Sequence, residues 1–256
     1  MTITAIGSGK GGTGKTLIAT SLAHALAHQG ERILLCDADF GLANAGVHLG
    51  LSHTGDLAAV LAGSKTLKDA VVRVNTGRAA FDLLAAPSGS GVLANASGGA
   101  VEILVGVLAQ ARQYDRVIVD LGAGVEANVM TLAAHADDVL LVLSPDPASL
   151  TDAYAFAKLL LRRTTSRVPQ IVVNMASNPT EGRRIADALM TSARAFLKAT
   201  PEFLGQIPYD TRVSDAVRRQ GQLLTLFPQT PAAIAIESIA RRMHGNSAQV
   251  AVAGLR

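Results

Sequence analysis

Eight residues near the N-terminus, "GKGGTGKT" at 9–16, constrain the fold more than any other stretch. They fit G-x-x-x-x-G-K-[ST] at Gly9, Gly14, Lys15 and Thr16. The flanks give the match its weight. An apolar run of β type, "TITAIGS", leads in, and a helical pattern, "TLIATSLAHALAHQG", leads out. A glycine-rich turn between strand and helix lets successive backbone N–H groups point at phosphate oxygens, and the helix adds the positive end of its dipole. Lys15 is then expected to neutralise the β- and γ-phosphates, and the Thr16 hydroxyl to ligate Mg²⁺. The loop also carries a second lysine, Lys10, which phosphate binding alone does not require.

The rest of the chain agrees with a strand–loop–helix start. Short apolar runs ("RILLCDAD", "DRVIVDLGAG", "DDVLLVLSP", "PQIVVNM", "FLGQIPY") alternate with helical patterns. That alternation implies βαβ units and a doubly wound, mostly parallel sheet with ligand chemistry at the C-terminal strand ends. Hydrophobic residues make up 49% of the chain and aromatics 4%, with no tryptophan, so the core is expected to be aliphatic. No repeat or long linker divides the 256 residues. The expectation is one α/β domain over 1–243, followed by a flexible tail at 244–256. "SGSGVLANASGG" reads as a loop, and Ser149 or Thr151 as the cap of the helix "SLTDAYAFAKLLLRR".

Three carboxylates at two strand ends accompany the loop. "CDADFG" supplies Asp37 and Asp39, which alternate along an extended chain and so share a face. "RVIVDLGAG" ends in Asp120, an apolar run closed by an aspartate, with Gly122 and Gly124 beyond it. Carboxylates at these places can hold Mg²⁺ through water or orient an attacking water. Asn174, at the end of another strand, reads either as a purine contact or as a turn residue, and Pro208 and Tyr209 follow the next strand as a cover for the base. The single cysteine, Cys36, sits in "ILLC" and reads as core. His24 and His28 read as surface or helix-packing residues without metal-ligand spacing. There is no signal peptide and no apolar run approaching the ~20 residues of a membrane span, so a cytoplasmic protein is expected.

"KGGTGKT", "DADFG" and "VIVDLGAG", in this order, resemble the deviant Walker A ATPases of the MinD/ParA class of P-loop NTPases. "DADFGLANAGVHLGL", "SPDPASLTDAYAFAKLL", "VVNMASNPTEG" and "LGQIPYDTRVSDAVRRQGQLLTLFPQTPAAIAIESIA" are most similar to its flagellar branch, the FlhG family, over residues 2–243. The resemblance implies a homodimer formed with ATP, in which Lys10 reaches the phosphates held by the other protomer. It implies Lys10, Lys15 and Asp39 as catalytic residues, Asp39 orienting water. Thr16, Asp37, Asp39 and Asp120 would stand around Mg²⁺. Gly9, Lys10, Gly11, Gly12, Thr13, Gly14, Lys15, Thr16, Leu17, Asn174, Pro208 and Tyr209 would line the nucleotide site. The implied reaction is slow hydrolysis of ATP to ADP and phosphate, timing a regulator of flagellar number or placement, at a pole or the inner membrane face. Its partners would be an FlhF-like GTPase or a transcription regulator.

Alternatives stay open within and outside this class. Residues 161–220 carry ten basic and five acidic side chains, which read as a solvated helical face or as phosphate contacts of a partition-type ATPase binding DNA nonspecifically. A septum-site MinD role would require a membrane-binding tail, and "HGNSAQVAVAGLR" has no basic amphipathic face. The chain starts at its first strand, so stimulation of a GTPase by an N-terminal extension is not expected. One cysteine is too few for a nitrogenase-type iron protein, which needs two cluster ligands per protomer.

Overall fold

The computed structural model describes residues 1–41, 43–86, 99–164 and 167–253, the last eight as backbone only. The stretch expected as a Gly/Ser-rich loop lies outside the described residues apart from Gly99, and so do Pro87 and residues 254–256 of the expected tail. β1 (Thr2–Gly7) feeds the glycine loop and α1 (Lys15–His28). β2 (Ile33–Ala38) precedes α2 (Ala45–His48), α3 (Leu57–Leu61) and α4 (Leu67–Ala70). A hairpin of β3 (Val72–Asn75) and β4 (Ala80–Leu84) follows. Then come α5 (Ala100–Ala109), β5 (Arg116–Leu121), α6 (Ala127–His135), β6 (Asp138–Leu143), α7 (Pro147–Arg163) and β7 (Gln170–Ala176). The chain closes with α8 (Pro179–Ser192), a π-helical turn at Ala193–Leu197, β8 (Glu202–Pro208), α9 (Thr211–Arg218), α10 (Leu223–Leu226) and α11 (Pro231–Ala253).

The eight strands form one sheet in the order β3-β4-β2-β5-β1-β6-β7-β8. Every neighbouring pair is parallel except β3 with β4. Strand residues alternate between two cores. Leu34, Cys36, Val117, Val119 and Leu121 pack on the side of α5–α8. Ile33, Leu35 and Ile118 pack on the side of α1, α10 and α11. Because both faces are covered, the central strands are largely apolar, with charged residues confined to their ends at Arg116, Asp37 and Asp120. Cys36 is fully buried in this core, and burial raises its thiol pKa.

The structure departs from the sequence reading at four places. By sequence "TLKDAVV" reads as a short helix to its end, but β3 takes the chain from Val72, and its antiparallel partner β4 decides it. α7 begins at Pro147, because Asp146 caps it by accepting from the N–H of Ala148. Ser149 instead accepts from the N–H of Ser144. α8 was not anticipated, although "SNPTE" holds a signal for it: Asn178 accepts from the N–H of Glu181, and Glu181 reaches back to the N–H of Ser177. α11 runs on to Ala253, past the boundary drawn at 243.

One buried cation ties distant segments together. Arg116 is 1% exposed at the start of β5. It donates to the Glu31 carboxylate at 2.9 Å, the Thr4 hydroxyl at 3.0 Å and the carbonyl of Met243 at 3.4 Å. His244 Nδ1 lies 2.6 Å from the same Glu31. The middle of α11 is thereby fastened to β1 and β5 at the centre of the sheet.

His24 is not a surface residue. It is 1% exposed on α1, with its ring 4.4 Å from that of His28. Burial, then the neighbouring His28, lowers its pKa to about 4. Its folded pKa is therefore depressed below the ordinary value, so its contribution is complete above about pH 6.5 and is lost as pH falls toward 4. At 1.36 kcal/mol per pH unit the loss approaches about 3 kcal/mol. Urea unfolding at pH 7 and pH 4.5 should show this loss in the wild type and a much smaller one in His24→Leu. Equal acid sensitivity in both proteins would contradict it.

Candidate functional site

Sheet register assembles the site. β2, β5 and β1 are adjacent, and Asp37 is the register partner of Asp120, which is also that of Ile6. The glycine loop begins at Gly9, three residues after Ile6. Two strand ends carrying three carboxylates therefore meet the phosphate loop at one edge, where a parallel sheet presents the C-terminal ends of its strands.

Within the loop, Gly14 has φ +85 and no room for a side chain, since a Cβ there would collide with the amide of Asn174. Gly9 is pressed against the backbone of Asp152 in α7. Gly11 and Gly12 face open space, and the Thr13 hydroxyl is buried without a protein partner among the described residues. α1 begins with no side-chain cap, which leaves the N–H groups of its first turn free for an anion. Lys15 is 8% exposed; burial lowers its pKa, while Asp120, Asp39 and Asp37 oppose that shift and favour the charged form.

The carboxylates divide into different tasks. Asp120 is 1% exposed. Burial and then Asp37 raise its pKa, against a hydrogen bond from Thr16 and the charge of Lys15. Its Oδ1 has no partner among the described residues. Asp37, 1% exposed, organises the loop after β2: its oxygens accept from the N–H groups of Asp39, Asn44 and Ala45 at 3.1, 2.8 and 2.9 Å. That structural role was missed by the sequence reading, because it depends on how the chain turns back seven and eight residues later. Asp39 is half-buried, accepts from the N–H of Gly41 and stands beside Gly122.

These residues fit a phosphate-bound Mg²⁺. The orphaned Asp120 oxygen, the adjacent Thr16 hydroxyl and mutually repelling buried carboxylates all favour a cation there. Among the described residues no three His, Cys, Asp or Glu side chains form a ready-made metal cage. Mg²⁺ does not need one, since it takes its remaining ligands from phosphates and water.

Beyond the loop lies a pocket of about 200 Å³, lined in part by Gly14, Leu17, Asn174, Pro208, Tyr209 and His48. Asn174 Nδ2 donates to the carbonyl of Thr13 at 2.8 Å, so this amide also braces the phosphate loop. Tyr209 stands 65% exposed at the pocket. His48 went unnoticed in the sequence, where nothing marks its approach to α1 and α9.

Lys10 is the one loop residue set apart. Its Nζ pairs at 2.6 Å with Asp146, the cap of α7, and both side chains are substantially exposed. Lys10 lowers the Asp146 pKa through this hydrogen bond. No described helix is long and apolar enough to cross a membrane.

The sequence profile described as "CobQ/CobB/MinD/ParA nucleotide binding domain" matches residues 4–223. The antiactivator FleN of Pseudomonas aeruginosa is 35% identical over 245 residues, covering 94% of this chain and 85% of that protein. The flagellum site-determining protein YlxH of Helicobacter pylori is 30% identical over 238 residues, covering 92% and 79%. The solved MinD cell division protein of Aquifex aeolicus aligns with a TM-score of 0.77 and 27% identity, covering 96% of this chain and 97% of that one.

Proposed function

We propose that this chain, which belongs to the CobQ/CobB/MinD/ParA nucleotide-binding family, is an ATP-timed dimer that regulates flagellar number or placement. The observation that carries the switch is the separation of the two lysines. Lys15 is buried among the carboxylates, whereas Lys10 is partly exposed and its ammonium is paired with Asp146. An exposed ion pair of this kind is worth about 1 kcal/mol or less, so Lys10 is readily released to a second protomer.

In this reading the loop amides of residues 9–16 and the first turn of α1 bind the phosphates of ATP, and Leu17, Asn174, Pro208 and Tyr209 enclose the base. Thr16 and Asp120 hold Mg²⁺, which supplies charge neutralisation at the β- and γ-phosphates when bound. Asp39 accepts a hydrogen bond from the attacking water and aligns it with the γ-phosphorus. Lys10 of one protomer stabilises the charge that develops on the phosphates held by its partner, so turnover requires the dimer. After hydrolysis that cross-contact is lost, and the dimer separates. The flagellar assignment rests on the FleN and YlxH likenesses and on the phrases shared with the flagellar branch.

Asp39→Ala is expected to give a stable ATP-bound dimer with little hydrolysis, seen by gel filtration with light scattering in saturating ATP. A monomeric variant under those conditions would sink the proposal. Deletion of the gene should change flagellar number or position. A partition-type role is the second reading. Its basic residues are partly neutralised, since Arg183 pairs with Asp187 and both Arg212 and Arg218 with Asp215. DNA binding that appears only with ATP and falls steeply with salt would promote it over the first.

A further inference from the structure

Next to the base pocket lies a narrow chamber of about 10 Å³. Thr20, Ser21 and His24 of α1 wall one side, His48 and Leu49 another, and Gln222 closes it from the loop after α9. Both ring nitrogens of His24 are buried there without a protein partner among the described residues, and so is Nδ1 of His48. A neutral imidazole carries one donor and one acceptor, and leaving both buried and unpaired is costly. The chamber's water-accessible space is about that of one water molecule. No acidic or basic side chain other than the two histidines lines it. His48 also lines the larger pocket, as do Leu17 and Val217, so these side chains stand between the two spaces.

We propose that the chamber is a built one-water site and that, through it, His48 is a positioning residue for the nucleotide base. The water donates to one imidazole and accepts from the other. It thereby links the tautomer of His48 to that of His24 and holds α2 against α1. His48 Nε2 is not among the buried unpartnered atoms. It is the nitrogen left to meet the edge of the base, in the pocket that Asn174 and Tyr209 also line. The phosphate loop alone would bind any polyphosphate; the fixed ring adds recognition of the base. This inference rests on the nucleotide reading of the site, and the test separates the two.

Binding of ADP and of inorganic tripolyphosphate to the full chain would be measured by calorimetry for wild type, His48→Leu, His48→Gln and His24→Leu. His48→Leu is expected to weaken ADP about tenfold and leave tripolyphosphate unchanged. His24→Leu should weaken ADP severalfold, because the water loses one of its two imidazoles. His48→Gln, which keeps a donor and an acceptor, should recover most of the ADP affinity. A high-resolution crystal structure should place one water between His24 and His48. If His48→Leu binds ADP like wild type, or loses ADP and tripolyphosphate equally, or if the chamber holds no water, the proposal is overturned. If wild type binds tripolyphosphate but shows no preference for ADP, the nucleotide reading itself fails.

Discussion

Lys10→Ala should lower ATP turnover by about a thousandfold while leaving ADP affinity within a fewfold of wild type. The size follows from the role: a cation supplied to the transferring phosphoryl group by a second subunit contributes on the order of 10³ or more to the rate. The selectivity follows from the geometry. Lys15, not Lys10, is the lysine surrounded by Asp37, Asp39 and Asp120 at the phosphate loop. Lys15→Ala should instead weaken nucleotide binding itself. Steady-state hydrolysis at several protein concentrations, together with calorimetry for ADP, separates these outcomes. A Lys10→Ala protein that turns over normally, or that loses ADP binding in parallel with turnover, would remove the proposed switch. Asp146→Asn provides the necessary comparison, since it keeps an acceptor to cap α7 and removes the charge that holds Lys10. If it alone reproduces the Lys10→Ala defect, Lys10 acts through α7 rather than on phosphates.

Arg116→Ala should destabilise the fold by about 3–5 kcal/mol, the usual consequence of removing one member of a buried ion pair. Glu31, whose side chain is 8% exposed in the intact pair, would lose its guanidinium and keep His244 as its cationic neighbour among the described residues. The carbonyl of Met243 would lose a donor as well. For a domain of this size the melting temperature should fall by roughly 10 °C. The double substitution Arg116→Met with Glu31→Leu should recover much of that loss, because the desolvation of both charges disappears together. The two single variants and the double form a cycle that isolates the pair. A melting temperature for Arg116→Ala within about 2 °C of wild type would refute the assignment.

The contrast between these two residues shows what a sequence exposes. Lys10 was conspicuous because its neighbours form a motif whose geometry is set within eight residues. Arg116 begins the run "RVIVDL", where an arginine reads as an ordinary exposed strand start. Its partners Glu31 and Met243 lie 85 and 127 residues away, and only the packing of α11 beneath the sheet brings them to it. His24 and His48 were obscure for the same reason. The i, i+4 spacing of His24 and His28 is visible in the chain, but the arrival of α2 and the loop after α9 is not.

What the sequence by itself determined is local. The glycine loop, its strand and helix, the apolar central strands and the acidic strand ends all follow from periodicity and turn chemistry over a few residues. The α/β class follows from their alternation. Tertiary structure decided which strand ends meet. The order β2-β5-β1 places Asp37 and Asp120 in register beside the loop, and a different order of the same strands would have scattered them. It also committed Asp37 to bracing a turn, gave Asn174 to the Thr13 carbonyl, and turned Lys10 outward to Asp146. The physical reason is that a hydrogen bond or ion pair forms wherever packing brings two groups within about 3 Å, and separation along the chain does not set that distance.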